Sequence, residues 1–267
     1  MSTTTKNKNL ILFNLKTDAD DDILGFTTDW INALAPHFNR VFVITMCAGR
    51  IEVTENVQVF SVGKEKGYSE PKRALEFYRI LWKILRTQKI DVCFAHMMPL
   101  FAVMAGPFLR LKRIPMLLWY AHKSVTPTLR LATFFANRVV ASSKEGFRLP
   151  TKKLHIIGQG IDTNKFVPTE KRHSSHEPFT ILTIGRLSPI KRIELLIEAV
   201  ALFQKRKPEV SIRICIVGGP LTQQDITYTN ELKQLTNQSY LETIVEFVAS
   251  HLEKLLITIN KPIVLSI

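Results

Sequence analysis

Arg186 and Lys191 stand five residues apart in "ILTIGRLSPIKRIELLIEAV" (181–200), just past an apolar run that stops at Gly185. A guanidinium and an ammonium beside the start of a helix converge with its free N–H groups on one point, and such a point can hold a dianion, for instance a diphosphate. Gly185 permits a sharp exit from the preceding strand. Ser188 is a fair N-cap and Pro189 a favoured first helical residue, so the spacing predicts a helix over 189–205. Ile193, Leu196, Ile197, Val200 and Phe203 recur three or four apart and form the face that packs on a sheet. Cations near a helix start also serve as plain solvated charge, and the pattern by itself leaves both readings open.

The other residues with chemical potential are few. Gly218 and Gly219 follow the apolar run "RICIV", where they let a ligand approach the backbone or simply make a turn. Asp18, Asp20, Asp21 and Asp22 precede Gly25 in "DADDDILGFTTDW" and read as a solvated loop. His173 and His176 lie three apart in a polar stretch with no cysteine partner, so no metal is expected there. There is no GxSxG, no Walker lysine loop and no HExxH.

Short apolar strands must position these groups. The runs at 9–15, 40–47, 91–97, 115–122, 137–143 and 154–161 alternate with helical patterns over 26–37, 71–86 and 125–137. Several runs are apolar without alternation, as in strands covered on both faces of a parallel sheet. The βαβ rhythm makes a doubly wound parallel sheet. Residues 163–178 are polar, hold two prolines and show no period. A second βαβ series follows: strand 179–185, helix 189–205, strand 210–217 and a helical pattern near 225–238. The fold class expected is therefore α/β with two such domains, the second short.

With 267 residues, 46% of them hydrophobic and 22% charged, the chain can bury two cores. Thirty-six Lys and Arg against 23 Asp and Glu leave +13, which attracts polyanions: nucleic acid, an anionic membrane face or phosphorylated substrates. No zinc finger, RRM signature or basic helix supports the first, and no nucleic acid is expected. Cys47, Cys93 and Cys215 sit singly in apolar runs, and "MSTTTKNKN" has no apolar core of a secretory signal, so a reducing cytoplasm is expected. Val92–Leu109 lacks formal charge, yet His96, Pro99, Gly106 and Pro107 interrupt it, and a strand, a loop and a helix fit better than a membrane span. The basic stretches "RLKR" (110–113) and "PTKKLH" (150–155) read as solvated charge that could rest on anionic lipid, a peripheral contact at the inner face of the membrane.

The stretch "TIGRLSPIKRIELLIEAV" resembles the donor-site signature of the group 1 (family 4-like) retaining glycosyltransferases of the GT-B fold. "VVASSKEG" (139–146), "IIGQGIDTNKFVP" (156–168) and "RICIVGGP" (213–220) resemble further family segments, in family order. The resemblance implies two Rossmann-like domains: an acceptor-side domain over 1–168, a linker over 169–178, and an incomplete nucleotide-sugar donor domain over 179–267. It implies that Arg186 and Lys191 bind the donor diphosphate, that Gly185, Gly218 and Gly219 form the donor loop, and that Gly25 marks the acceptor loop. There the family often has two adjacent glycines, and this chain has one. His122, ending "LWYAH", matches a histidine that lines the family's cleft near the transferred sugar; read from the residues, a satisfied buried histidine is as good an account. No metal or other cofactor is implied, because protein cations stabilise the leaving group. The partners implied are a nucleotide-sugar donor and a glycan or lipid-linked acceptor, as in polysaccharide or cell-envelope glycan synthesis. The family's E-x7-E motif and final crossing helix do not follow "TIVEFVAS", so the chain is expected to be truncated. The alternative is a catalytically inactive remnant that binds nucleotide or acceptor only.

Overall fold

In the computed structural model, residues 7–21, 23–160, 163, 178–248 and 264–265 are described. The chain divides into two compact units, Met1–Ile161 and Asp162–Ile267. The boundary expected at 168 and the linker over 169–178 fall almost wholly outside the described residues, as do His173, His176 and Asp22.

The first unit is a seven-stranded parallel sheet in the order β3-β2-β1-β4-β5-β6-β7. β1 (Asn9–Thr17), β2 (Arg40–Ala48), β4 (Val92–His96), β5 (Met116–Trp119), β6 (Arg138–Ala141) and β7 (Leu154–Ile156) take up the predicted apolar runs. β3 (Val57–Ser61) was not foreseen: it is the outer strand beside β2, mostly half-buried, and "VQVFS" carries little apolar signal. β1 is buried along most of both faces, which is why "LILF" shows no alternation.

Three helices cover one face of this sheet. α2 (Glu70–Thr87), α3 (Pro99–Leu111) and α4 (Pro127–Phe135) join the outward residues Ile11, Phe13, Phe42 and Ile44 in one large core. α1 (Phe26–Leu34) packs on the opposite face with Leu10, Leu12, Val41 and Val43. The charge-free stretch 92–109 is β4, a short turn and α3, as expected, and no helix among the described residues is long and apolar enough to cross a membrane. Gly106 lets α4 settle against α3, because a Cβ there would strike the Phe135 ring.

One cation in each of the two basic stretches is engaged by the packing around α4. Lys153 is not solvated charge: its Nζ donates to the carbonyl oxygens of Thr133, Phe134 and Ala136 at 2.7–3.0 Å. Arg110 donates to the Phe134 oxygen as well and stacks over its ring at 4.2 Å. Two cations thus satisfy the bare carbonyls and negative end of one helix dipole.

The second unit is a four-stranded parallel sheet, β10-β9-β8-β11, built from β8 (Phe179–Ile184), β9 (Ile212–Val217), β10 (Val245–Val248) and β11 (Val264–Leu265). α5 (Ile193–Arg206) and α6 (Gln223–Gln238) supply Ile193, Ile197, Val200, Tyr228 and Leu232 to its core. The two units are doubly wound parallel α/β sheets, as the βαβ rhythm predicts.

Candidate functional site

The candidate donor site forms where β8 and β9 end. Gly185 leaves β8 with φ +150° and Gly218 leaves β9 with φ +145°, a region that side chains avoid. Gly185 N–H donates to the Val217 carbonyl at 2.9 Å and Leu187 N–H to the Gly219 carbonyl at 3.1 Å, so the two turns are laced together. A small hollow there is lined by Gly185, Arg186, Leu187 and Lys191 together with Thr183 and Val217. Arg186, Lys191, Gly185, Gly218 and Gly219 are therefore brought to one end of one sheet.

The helix start is not where the sequence put it. Pro189–Lys191 is a single 3-10 turn, Ser188 makes no side-chain cap bond, and Arg192 is left-handed at φ 51° before α5 begins at Ile193. Lys191 therefore lies on the turn, and its Cε would stand 3.8 Å from a Cβ at Gly185. The Ser188 hydroxyl is buried and has no hydrogen-bond partner among the described residues. Tyr228, reaching over from α6, supplies the acceptor that α5 lacks. Its hydroxyl accepts from Ile193 N–H at 2.8 Å and donates to the Glu194 carboxylate. Burial and that carboxylate push the Tyr228 pKa up to about 12, so the donor proton stays in place.

Arg186 is half-exposed and pairs at 3.9 Å with Asp225, a buried carboxylate at the start of α6. Asp225 and Thr222 form a reciprocal capping box: the Thr222 hydroxyl accepts from Asp225 N–H while the carboxylate accepts from Thr222 N–H at 3.0 Å. Burial works upward on the Asp225 pKa, but the Thr222 hydroxyl, two backbone N–H groups and Arg186 outweigh it and hold the carboxyl below its usual range. Arg186 is thereby aimed by an anion on a neighbouring helix. Lys191 makes no ion pair among those found in the described residues.

In the first unit, Gly25 is the N-cap of α1 with ordinary helical angles, so close approach demands the glycine: a Cβ would meet the Asp21 carbonyl at 2.7 Å. The aspartates before it are not a loose solvated loop. Lys16 pairs with Asp18 at 3.1 Å and with Asp21, while Asp20 pairs with Arg50 at 2.7 Å. Desolvation raises the Asp18 and Asp21 pKa values less than Lys16 and backbone N–H groups lower them, so both remain anionic and keep the loop knitted.

His122 is exposed, which removes the buried-histidine reading. Its Nδ1 accepts from Ser124 N–H at 3.1 Å, which in the neutral ring places the proton on Nε2. His96 is the buried histidine of this unit. It ends β4, is 5% exposed, and sits among Phe26, Trp30, Phe94 and Trp119, with the Trp30 ring centroid at 4.8 Å. Burial lowers its pKa to about 4, so it is neutral at physiological pH. An apolar hollow of about 350 Å³ opens beside it, lined by Trp30, Phe94, Leu117, Trp119 and Gly158. A histidine ending an apolar strand was the available signal. Among the described residues, no group of three or more His, Cys, Asp or Glu could hold a metal ion.

Two doubly wound parallel-sheet units, the second with two glycine turns and two cations at one sheet end, fit the GT-B fold. Residues 167–258 match the family "Glycosyl transferases group 1". Mannosylfructose-phosphate synthase of Agrobacterium fabrum is 29% identical over 110 residues, 39% of this chain and 24% of that protein. D-inositol 3-phosphate glycosyltransferase of Corynebacterium urealyticum is 30% identical over 90 residues, 30% of this chain and 21% of that protein. The matched stretches thus span less than a quarter of either curated relative. Among solved structures, HepE of Anabaena in complex with UDP superposes with a TM-score of 0.63 at 18% identity, covering 92% of this chain and 70% of that one. A glycosyltransferase of Rickettsia africae gives 0.64 at 13% identity, covering 95% and 70%.

Proposed function

We propose that this chain is the acceptor-side unit and part of the donor unit of a glycosyltransferase. It takes a nucleotide-sugar at the ends of β8 and β9 and passes the sugar, with retention of configuration, to a glycan or lipid-linked acceptor. The observation that carries the reading is the meeting of Arg186 and Lys191 with the Gly185 and Gly218 turns at one sheet end. As the bond between the anomeric carbon and the diphosphate oxygen breaks, negative charge gathers on the departing diphosphate. Two fixed cations at that oxygen lower the barrier without a metal ion, and their preset positions avoid reorganisation during the step. Glycines at both turns let the diphosphate approach backbone N–H groups, and the buried Ser188 hydroxyl is a further donor beside them. An oxocarbenium-like sugar is then attacked by the acceptor hydroxyl from the face the diphosphate leaves. His122, with its proton on Nε2, is the acceptor-side group that contacts the transferred sugar, and the Gly25 loop receives the acceptor.

UDP, GDP and ADP titrated onto wild type and onto Arg186→Ala/Lys191→Ala test the site. Loss of both cations is expected to weaken nucleoside diphosphate binding by at least about a hundredfold, since charge-assisted hydrogen bonds contribute roughly 1.5–3 kcal/mol each. Equal affinities would defeat the assignment. Tight binding with no sugar transfer or donor hydrolysis would favour the binding-only reading instead.

A further inference from the structure

α2 carries two apolar faces. Phe77, Ile80, Leu81, Ile84 and Leu85 are buried against the sheet, as in any surface helix. Leu75, Tyr78 and Trp82 form a second stripe at helical spacing that is turned to solvent, with exposures of 68%, 41% and 46%. The outward side of such a helix is ordinarily polar. Phe108 of α3 packs beside the stripe, its ring 5.9 Å from Tyr78 and 6.3 Å from Trp82, and the groove between the two helices holds about 510 Å³. Leu111, 84% exposed at the end of α3, stands clear of any packing.

Cations rim this apolar patch. Arg86 lies over the Trp82 ring at 4.6 Å, Arg79 lines the groove, and Lys83, Lys112 and Arg113 are exposed on the same two helices or just past them. The nearby carboxylate, Glu76, is taken by Arg79 at 2.7 Å. The asymmetry extends beyond the patch: residues 70–153 hold sixteen Lys and Arg against four Asp and Glu, a surplus of twelve in a chain whose total is +13. Exposed aromatic and aliphatic side chains ringed by fixed cations match a bilayer interface, where Trp and Tyr sit at headgroup depth and Lys and Arg meet anionic headgroups. A second copy of the chain would set like charges against each other, which disfavours it as the occupant.

We propose that the α2–α3 face, centred on Leu75, Trp82 and the cations beside them, docks this protein on the surface of an anionic lipid bilayer. Binding there is interfacial, with apolar side chains entering the headgroup boundary and no segment crossing it. The inference concerns the first unit alone and stands whether or not the second unit takes a nucleotide-sugar.

The test is flotation of the full chain with vesicles of equal parts phosphatidylglycerol and phosphatidylcholine, and with phosphatidylcholine alone, at low and high salt. Wild type should float with the anionic vesicles, more so at low salt, and bind the neutral ones at least tenfold less. Leu75→Asp/Trp82→Asp and Lys83→Glu/Arg86→Glu should each lose about tenfold or more on anionic vesicles while keeping the wild-type circular dichroism and thermal midpoint. Because the first pair could disturb packing, Trp82→Ala serves as a milder check, expected to weaken binding in the same direction. Wild-type binding by both double variants, or failure of wild type to float with anionic vesicles at low salt, overturns the proposal. Self-association that Leu75→Asp/Trp82→Asp abolishes, without vesicle binding, overturns it in favour of a second copy.

Discussion

The backbone of Gly218 lies directly on the carbonyl group of Gly185, so closely that a Cβ on Gly218 would overlap that oxygen. The strands they end are neighbours in register, with Ile184 opposite Val217, and Gly218 N–H continues the lacing by donating to the Val248 carbonyl at 3.0 Å. Backbone bonds tie the three strand ends together, and the close approach of Gly218 to the Gly185 carbonyl leaves no room for a side chain beside the residue from which Arg186 departs.

Gly218→Ala is expected to destabilise the second unit by more than about 2 kcal/mol, combining positive-φ strain with the overlap. Gly219→Ala, with no atom within 4 Å of the added Cβ, should stay within about 0.5 kcal/mol. Thermal unfolding of the two variants measures the difference. Equal midpoints would mean the glycine contact is not needed.

Removing the Tyr228 hydroxyl strands the Ile193 N–H at the start of a helix that has no side-chain cap of its own. Tyr228→Phe should cost about 1–2 kcal/mol, because a buried donor loses its acceptor and Glu194 loses a donor. Urea unfolding should place this loss in the second unit. Hydrogen exchange should quicken at Ile193 and leave β1 unaffected.

His96 makes stability depend on pH. Its pKa falls from 6.5 in the unfolded chain to about 4 in the fold, so between those values the unfolded state binds the extra proton. Stability from this residue is fully present above about 6.5 and declines as the pH drops toward 4, by roughly 3 kcal/mol. Denaturant midpoints taken stepwise across this window should fall in wild type and fall less in His96→Gln. Parallel slopes would show that another group titrates.

Most of the first sheet was legible because strands covered on both faces are short apolar runs, and "RVFVITMC" or "PMLLWYA" has no other good solution. β3 escaped because an outer strand is packed on fewer sides and needs less apolar content. α3 was read only as part of a strand, loop and helix, since Pro99, Gly106 and Pro107 mask its period. At the candidate site, spacing pointed to Arg186 and Lys191, and the family resemblance to the glycines. The precise helix start did not emerge, because Ser188 and Pro189 carry the same signal for a 3-10 turn as for an α-helix. What could not be read was anything made by distant segments: Tyr228 capping a helix 35 residues earlier, Asp225 aiming Arg186, and Lys153 closing the end of α4. Lys152 and Lys153 look alike in "PTKKLH", and only the fold tells them apart.

β1 lies in the middle of its sheet, between β2 and β4. During synthesis its β2 edge is covered early, but the other edge waits for residues 92–96, some 75 positions after Thr17. At about 5–20 residues per second, the ribosome leaves that apolar edge open for roughly 4–15 s. For those seconds the nascent chain offers an unpaired strand edge as a template to any neighbour on the polysome.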